Sequence, residues 1–338
     1  MVLRAKTDAV RLLDGVRGGD SLAIARAITA IENAGPLGTE LKLLLREGDA
    51  RCRTLGVTGP PGAGKSTLIS ALIDRLLGKH RCIGVLTVDP SSPVSGGAVL
   101  GDRVRMASHS RNPNVFIRSL AARGHLGGVT RATRDVIGVL GAAGMDLVIV
   151  ETVGTGQSEV EVAELTDVRL VVCPPGLGDD MQAIKAGILE IADLLVVNKA
   201  DLPDAERTAG HLKTMLHYGG DSETRQVLLV SVVTGDGLAA LASAIDDRFS
   251  AQAHEERPMG AVPTVSPQTL ADEAGELVCA FVRQTGNDRI RDICLAIERG
   301  EITHRDGAVA AVGMFVVSCG DVCEIGVRSR IKSPGGIG

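Results

Sequence analysis

Short apolar runs alternate with helical stretches along the chain from residue 53 onward. Six runs of four to six mostly apolar residues occur at 54–58, 83–88, 147–150, 170–173, 194–197 and 227–230. Each run has the length of a buried strand, and the stretches between the runs have room for crossover helices. This alternation is typical of βαβ units, which place helices on the faces of a parallel sheet. The pattern therefore predicts an α/β fold with a mostly parallel central sheet.

Helical patterns flank this central region. Asp20 is a candidate N-cap, and the Asn-Ala-Gly-Pro sequence at 33–36 predicts where its helix ends. The predicted apolar face of that helix consists of Leu22, Ala25, Ile28 and Ile31. Proline, glycine and charge gather at 251–267 and predict a linker. The sequence therefore predicts five segments: a helical extension (1–50), an α/β domain (51–250), the linker (251–267), a helical arm (268–313) and a tail (314–338).

The helical arm has an apolar side that must be covered. Ser266 and Pro267 predict the start of its first helix, as an N-cap followed by proline at the first helical position. The apolar positions of its two predicted helices are Leu270, Leu277, Val278 and Phe281, and then Ile290, Ile293, Cys294 and Ile297. The pattern leaves open whether this side packs on its own domain or on a second subunit.

Composition narrows the functional classes. The 338 residues include 36 basic and 41 acidic side chains, for a formal charge of −5. A nucleic-acid-binding protein needs a basic surface, so nucleic acid is not an expected partner. The longest apolar run, 308–317, is about half the roughly 20 residues needed to cross a bilayer, and the first residues have no apolar signal core. We expect a soluble, cytoplasmic protein whose seven scattered cysteines are reduced thiols.

A glycine-rich loop follows the first predicted strand and precedes a helix predicted at 67–77. Its spacing is that of a phosphate-binding P-loop. The backbone N–H groups and the helix N-terminus would bind phosphate oxygens, while Lys65 reaches the β and γ phosphates and Ser66 binds Mg²⁺. The predicted phosphate-binding residues are Gly59, Pro60, Pro61, Gly62, Ala63, Gly64, Lys65, Ser66 and Thr67.

A second motif predicts which base is recognised. Asn198 and Lys199, with Asp201 two positions further on, follow the strand predicted at 194–197. The Asp201 carboxylate can accept both N1–H and the 2-amino group of guanine, whereas adenine offers no such donor pair. After the last predicted strand, backbone amides of Ser231, Val232 and Val233 would lie near the guanine O6. The expected ligands are GTP and GDP.

Further polar residues lie at the ends of other predicted strands. Glu151 follows the strand at 147–150, where many P-loop enzymes have a metal-linked acid, and Gly154 would sense the γ-phosphate. Asp89 and Asp102 carry carboxylates that would approach Mg²⁺. Gln157 is the candidate for positioning water, but it does not directly follow the glycine, so unaided hydrolysis should be slow. Ligands of open parallel sheets bind at the carboxyl ends of strands, where all these motifs fall.

Together the motifs resemble the P-loop GTPase chaperones of adenosylcobalamin-dependent acyl-CoA mutases, the methylmalonyl-CoA mutase-associated (MeaB/ArgK) group. The specific segments are VDPSSPVSGGAVLGDRVRM (88–106), ETVGTGQSEVEV (151–162) and PPGLGDDMQAIKAGILEIADLLVVNKAD (174–201). The resemblance implies a first switch with Asp89 and Asp102, a second at 151–159 and a third at 178–185. Partner-sensing residues in the third would be Asp179, Gln182 and Lys185.

The resemblance also implies a biological role. It implies a homodimer, with residues 268–313 as the dimerisation arm, whose GTP cycle gates cobalamin loading and protects or reactivates the mutase. The mutase would in turn accelerate GTP hydrolysis. The sequence departs from the family pattern at Val232, where a small alanine is usual, and in the tail from about Met314.

Three other hypotheses fit a P-loop. A kinase would pass the γ-phosphate to an acceptor such as a transport component. A nickel-insertion GTPase would need a set of cysteine and histidine ligands, of which Cys173 is the only well-placed member in the sequence. A noncatalytic dimeric scaffold would show no turnover.

Overall fold

A computed structural model describes most of the first 254 residues and part of the remainder. The described residues are 2–33, 35–46, 52–90, 109, 111–122, 128–152, 165–176, 192–218, 225–254, 275, 278, 282, 288–299 and 301–314. The chain divides into two compact units, Met1–Glu256 and Arg257–Gly338.

The first unit contains the sheet and its helices. Its helices are α1 (Val2–Arg17), α2 (Ser21–Glu32), α3 (Pro36–Arg46), α4 (Lys65–Leu76), α5 (Gly128–Ala142), α6 (Ala205–Tyr218) and α7 (Leu238–His254). Its strands are β1 (Arg53–Thr58), β2 (Ile83–Pro90), β3 (Val115–Ala122), β4 (Leu147–Thr152), β5 (Val168–Cys173), β6 (Leu194–Val197) and β7 (Gln226–Leu229).

The seven strands form one sheet in the order β3-β2-β4-β1-β5-β6-β7, and every neighbouring pair is parallel. The predicted α/β fold with a parallel sheet is therefore confirmed. Six of the seven strands coincide with the predicted runs to within two residues at each end. The first strand, β1, lies between β4 and β5, so the loop that follows it has strand ends on both sides.

The sequence prediction missed β3. Arg118 and Ser119 interrupt its apolar run, so no continuous hydrophobic segment marks it. Arg118 is tolerated there because its guanidinium lies 2.7 Å from the Glu32 carboxylate of α2 and 3.1 Å from the Thr29 hydroxyl. Edge strands commonly carry such charged residues, since only one side of the strand is paired with another strand.

Side chains alternate between the two faces of the sheet, as expected for strands. On β4, Leu147 and Ile149 belong to an apolar cluster with α4 and α7, and we call this side the α4 face. Val148 and Val150 pack on the opposite side in a cluster with α1, α2, α3 and α5. A third cluster places α6 against β5 and β6. These layers hold the carboxyl ends of the strands in a fixed arrangement around the loop after β1.

The N-terminal helices follow the sequence prediction in outline. The Asp20 carboxylate accepts a hydrogen bond from the Leu22 N–H at 3.0 Å, which confirms the predicted N-cap. The predicted apolar face was wrong at Leu22, which is 56% exposed. The buried residues of α2 are Ala23, Ile24, Ala27, Ile28 and Ile31. The helix ends at Glu32, as the turn sequence predicted, and α3 begins at Pro36.

Two other boundaries differ from expectation. Helix α4 begins at Lys65, two residues before the predicted start, so that its first turn lies inside the P-loop sequence. Helix α7 continues to His254, so the first residues of the segment 251–267 are helical.

The second unit contains helix α8 (Asp288–Glu298), and residues 304–314 are also helical. Ile290 of the predicted apolar face is buried, whereas Cys294 is exposed. A side chain at Gly307 would meet Ile293 and Ile297 of α8, so these helices are closely packed. Among all described residues, no helix is long and apolar enough to span a membrane.

Candidate functional site

The loop between β1 and α4 forms the centre of the site. Gly59 has φ +140°, and a Cβ atom there would lie 2.1 Å from the Val172 carbonyl oxygen of β5. Gly64 is the N-cap of α4 with φ +87°. Glycine adopts such angles without strain, and its missing side chain lets the loop pass close to the neighbouring strand. The glycine spacing in the sequence thus corresponds to real backbone requirements.

Gly62 and Gly64 provide a matched test of this loop. Both have left-handed backbone angles, with φ of +79° and +87°, but only at Gly64 would a new Cβ collide with the Asn198 side-chain nitrogen, at 2.6 Å. We expect Gly62→Ala to reduce the free energy of unfolding by about 1–2 kcal/mol through backbone strain. Gly64→Ala should cost at least about 1 kcal/mol more. Urea unfolding measures both, and equal losses would contradict the predicted contact with Asn198.

Lys65 occupies the first turn of α4, and its side chain folds over the loop. Its ammonium donates to the Gly59 carbonyl at 2.7 Å and to the Pro60 carbonyl at 3.2 Å. The residue is buried, which is costly for a cation unless acceptors surround it. A buried ammonium at a helix N-terminus is a natural partner for phosphate oxygens.

Ser66 and Glu151 come together although 85 positions separate them in the chain. The register of β1 and β4 places Val57 beside Glu151, and the carboxylate then faces the start of α4. The Ser66 hydroxyl donates to the Glu151 carboxylate at 2.7 Å, and both residues are buried. A hydroxyl that donates its proton keeps its lone pairs available, so two oxygen ligands for a hard cation such as Mg²⁺ lie side by side.

The predicted base-reading loop contacts the P-loop directly. The Asn198 side-chain nitrogen donates to the Ala63 carbonyl at 2.9 Å, and the Lys199 ammonium donates to the Gly62 carbonyl at 2.8 Å. The Asn198 backbone N–H is also bonded to the Cys173 carbonyl at the end of β5. These contacts fix the loop after β6 against the loop after β1, so both can face one ligand.

Asn198 also carries an acceptor with unused capacity. The residue is only 2% exposed, and its side-chain oxygen has no hydrogen-bond partner among the described residues. The amide orientation is set by the Ala63 carbonyl, which can accept but cannot donate. Because a buried polar atom left without a partner is costly, this oxygen indicates a ligand donor or a water molecule at this point.

Asp201 is oriented by a residue whose side chain the sequence reasoning overlooked. The Ser231 hydroxyl, buried at the end of β7, donates to the Asp201 carboxylate at 2.5 Å. Only backbone amides were predicted to act at this position, although a serine directly after a predicted strand was the available signal. Val232 packs against the apolar core, and Val233 is 85% exposed. The contact of their backbone amides with a base stays a prediction.

The remaining predicted residues divide into two groups. Asp89 lies within β2, with its backbone beside Ala121 of β3. The others lie outside the described residues: Asp102, Gly154, Gln157, Asp179, Gln182 and Lys185.

Cys173 is the thiol nearest to these strand ends in the sequence. It is buried at the end of β5, and desolvation raises the pKa of its thiol to about 12. The Cys173 thiol is therefore protonated at neutral pH. No group of three or more histidine, cysteine, aspartate or glutamate side chains suited to a metal occurs in the part of the chain that the structure describes.

A P-loop at the centre of a parallel sheet, bonded to the loop that follows β6, defines a protein of the P-loop nucleotide-binding class. The sequence matches the family "Methylmalonyl Co-A mutase-associated GTPase MeaB" over residues 24–263. The chain belongs to this family.

Individual relatives agree with this assignment. A protein of Pyrococcus abyssi is 47% identical over 210 residues, which are 62% of this chain and 65% of the relative. The chain thus spans just under two thirds of that curated relative. GTPase ArgK of Escherichia coli is 35% identical over 307 residues, covering 86% of this chain and 92% of ArgK. The crystal structure of an LAO/AO transport system kinase is 27% identical with a TM-score of 0.64, covering 92% and 98% of the two chains.

Proposed function

We propose that this protein binds GTP with Mg²⁺, hydrolyses it slowly, and uses the cycle as a chaperone for an adenosylcobalamin-dependent acyl-CoA mutase. The observation that supports the nucleotide site best is the direct contact between the two loops, through Asn198 and Lys199 on Ala63 and Gly62. Phosphate-binding and base-reading groups are thereby held at a fixed separation, as a nucleotide requires.

The phosphate end of the site depends on Lys65, Ser66 and Glu151. Lys65 would exchange its carbonyl contacts for phosphate oxygens, which are stronger acceptors for an ammonium. Ser66 would hold the metal through its oxygen lone pairs, while Glu151 keeps the hydroxyl proton turned away from the ion. Bound Mg²⁺ neutralises charge on the phosphate oxygens. The hydroxyl and the carboxylate are both oxygen ligands of the kind that Mg²⁺ prefers.

The base end of the site depends on Asp201. Ser231 donates to one of its carboxylate oxygens and so orients the side chain. The carboxylate retains acceptor capacity for the two donors on the Watson–Crick edge of guanine. Adenine has no matching pair of donors there, so binding ATP would leave a charged group without partners. GTP and GDP are the expected ligands.

We further propose that switch segments around this site respond to the γ-phosphate. Asp89 and Asp102 would approach Mg²⁺ in the first, and Gly154 and Gln157 belong to the second. Because Gln157 lies three residues after Gly154, the attacking water is not held by the residue directly after the glycine, and unaided hydrolysis should be slow. Asp179, Gln182 and Lys185 are the proposed contacts that sense a partner.

The proposed partner follows from the family, whose description names methylmalonyl-CoA mutase. The chaperone would act as a homodimer through the arm 268–313, in which residues of α8 such as Leu295 are partly exposed.

We expect an adenosylcobalamin-dependent mutase from the same organism to raise the GTP hydrolysis rate about tenfold, which corresponds to an activation free energy lower by about 1.4 kcal/mol. Phosphate release with and without the mutase measures this effect. No stimulation by any such mutase would contradict the partner proposal while leaving the nucleotide site intact.

A kinase is the second candidate, because the matched crystal structure is described as that of a transport system kinase. Labelled γ-phosphate distinguishes the two activities. Recovery of label as free phosphate supports the GTPase, whereas label on a protein or small-molecule acceptor supports the kinase. The nickel-insertion alternative needs a set of cysteine and histidine ligands, and the described residues contain no group of three or more histidine, cysteine, aspartate or glutamate side chains suited to a metal. This alternative predicts tight Ni²⁺ binding, which a titration of the protein with Ni²⁺ measures.

A further inference from the structure

The carboxyl end of β4 is bonded to the P-loop region on both faces of the sheet. On the α4 face, Glu151 accepts the hydrogen bond from Ser66. On the opposite face, the hydroxyl of the next residue, Thr152, donates to the hydroxyl of Thr58 at 3.0 Å. Thr58 is the last residue of β1 and directly precedes Gly59. Two consecutive residues of β4 therefore contact the chain where the P-loop begins and where it passes into α4.

The alternation of side chains along the strands accounts for these two directions. On β4, Ile149 lies in the apolar cluster on the α4 face, and Val150 lies in the cluster on the opposite face. Glu151 and Thr152 continue this alternation, so their side chains leave the strand on different faces. Thr58 meets Thr152 on the face opposite α4. The contact that Thr152 makes is thus separate from the contact between the Glu151 carboxylate and α4.

The hydroxyl pair lies where the backbone pairing of β1 with β4 ends. The register of these two strands ends at Val57 beside Glu151. On its other side, Thr152 is still paired with Val88 of β2. The hydroxyl bond therefore extends the connection on the β1 side by one residue. Thr58 and Thr152 are only 4% and 2% exposed, so water does not compete for this bond, and its loss leaves a buried polar atom without its partner.

We propose that Thr58 and Thr152 are positioning residues for Glu151, because their bond fixes the end of β4 against the end of β1 and so keeps the carboxylate beside Ser66. This inference rests on the proposed nucleotide function. A shift of the β4 end would move the Glu151 carboxylate away from the Ser66 hydroxyl, whose proton it holds. Mg²⁺ demands near-ideal octahedral geometry, so even a small displacement of these oxygen atoms weakens the metal site.

The test is the Mg²⁺ dependence of binding of a fluorescent, nonhydrolysable GTP analogue, at a fixed concentration, to the full chain. Thr152→Val removes the donor hydroxyl and nearly keeps the shape of the side chain. We expect it to raise the Mg²⁺ concentration at half-maximal binding about fivefold, the effect of one ordinary hydrogen bond. Affinity without magnesium should not change. Thr152→Ser retains the hydroxyl and should behave like the wild type. A raised midpoint in Thr152→Ser, or an unchanged one in Thr152→Val, would overturn the proposal.

A double-mutant cycle tests whether the two hydroxyls act through their mutual bond. Thr58→Val removes the same bond from the acceptor side and should raise the Mg²⁺ midpoint by a similar factor, about fivefold. The double variant should be no worse than the more affected single variant. Fold-changes that multiply would show two independent roles and would overturn the proposal. Thr58→Val and Thr152→Ser test the proposal even if Thr152→Val does not fold.

Two comparison variants separate this proposal from a general loss of stability and from failure of the nucleotide proposal. Thr54→Val removes another buried threonine hydroxyl, which donates to Asp167 at 2.8 Å at the opposite end of β1. It should lower stability in urea without moving the Mg²⁺ midpoint, and an equal rise in the midpoint would overturn the positioning role.

Ser66→Ala should raise the midpoint strongly. If it does so and Thr152→Val does not, the positioning role is overturned and the nucleotide site stands. If the wild type shows no magnesium-dependent binding, the nucleotide proposal itself fails.

Discussion

Replacing Lys65 with alanine is expected to weaken GTP binding at least about a hundredfold, which corresponds to about 2.7 kcal/mol. The ammonium of Lys65 makes two hydrogen bonds within the loop, at 2.7 and 3.2 Å, so the side chain already lies over the loop where phosphate oxygens would replace these carbonyl contacts. Hydrogen bonds to charged groups contribute about 1.5–3 kcal/mol each. Titration with a fluorescent GTP analogue measures the affinity, and hydrolysis should fall below detection.

Lys79→Ala is the matched control for this experiment. Lys79 lies just beyond the C-terminal end of α4, the same helix that begins with Lys65, and its ammonium is 2.6 Å from Asp246. That contact raises the pKa of Lys79, but the side chain is exposed and lies at the other end of the helix. GTP affinity should therefore be unchanged in this variant. Wild-type hydrolysis by Lys65→Ala would show that the reaction does not use this loop.

Asp201→Asn is expected to change the preferred base from guanine to xanthine. Guanine offers two donors to a carboxylate, whereas xanthine presents one donor and one carbonyl oxygen, which match an amide. Ser231 should stay bonded to the side-chain oxygen and leave the new amide nitrogen for the base. We expect GTP affinity to fall about a hundredfold and that of xanthosine triphosphate to rise correspondingly. Competition between the two nucleotides for the wild type and the variant measures the change.

Asp204→Asn controls for the loss of a negative charge near the base loop. Asp204 has φ +67°, a left-handed conformation that asparagine also tolerates, and its carbonyl accepts the Thr208 N–H at the start of α6. The backbone should therefore be preserved and base preference should not change. If both variants altered base preference equally, local charge rather than the Asp201 carboxylate would be the cause.

The sequence was most informative where chemistry depends on local spacing. The P-loop glycines could be found because left-handed backbone angles at Gly62 and Gly64 require this residue type within a few positions. The strands of the sheet interior could be found because burial on both faces demands continuous aliphatic runs. Strand β3 could not be found in this way, because Arg118 is accommodated there by contacts with Thr29 and Glu32, and Glu32 lies 86 positions away in the chain.

In the candidate site, too, some features could be predicted from the sequence and others depend on the tertiary structure. The residue types at Lys65, Ser66 and Asp201 predicted phosphate, metal and base contacts, because ammonium, hydroxyl and carboxylate groups have few alternative uses at such positions. That Ser66 would contact Glu151, or that Ser231 would orient Asp201, depends on which strands are neighbours and in what register.

The amino-acid sequence by itself determined the fold class and the position of the P-loop, and it predicted a preference for guanine, since each follows from residue type and short-range spacing. Only the tertiary structure decided that Asn198 and Lys199 would be bonded to the P-loop and that the Ser66 hydroxyl would donate to Glu151. These contacts join residues that are distant in the chain. They arise from the order and register of parallel strands, which long-range packing sets and no local pattern records.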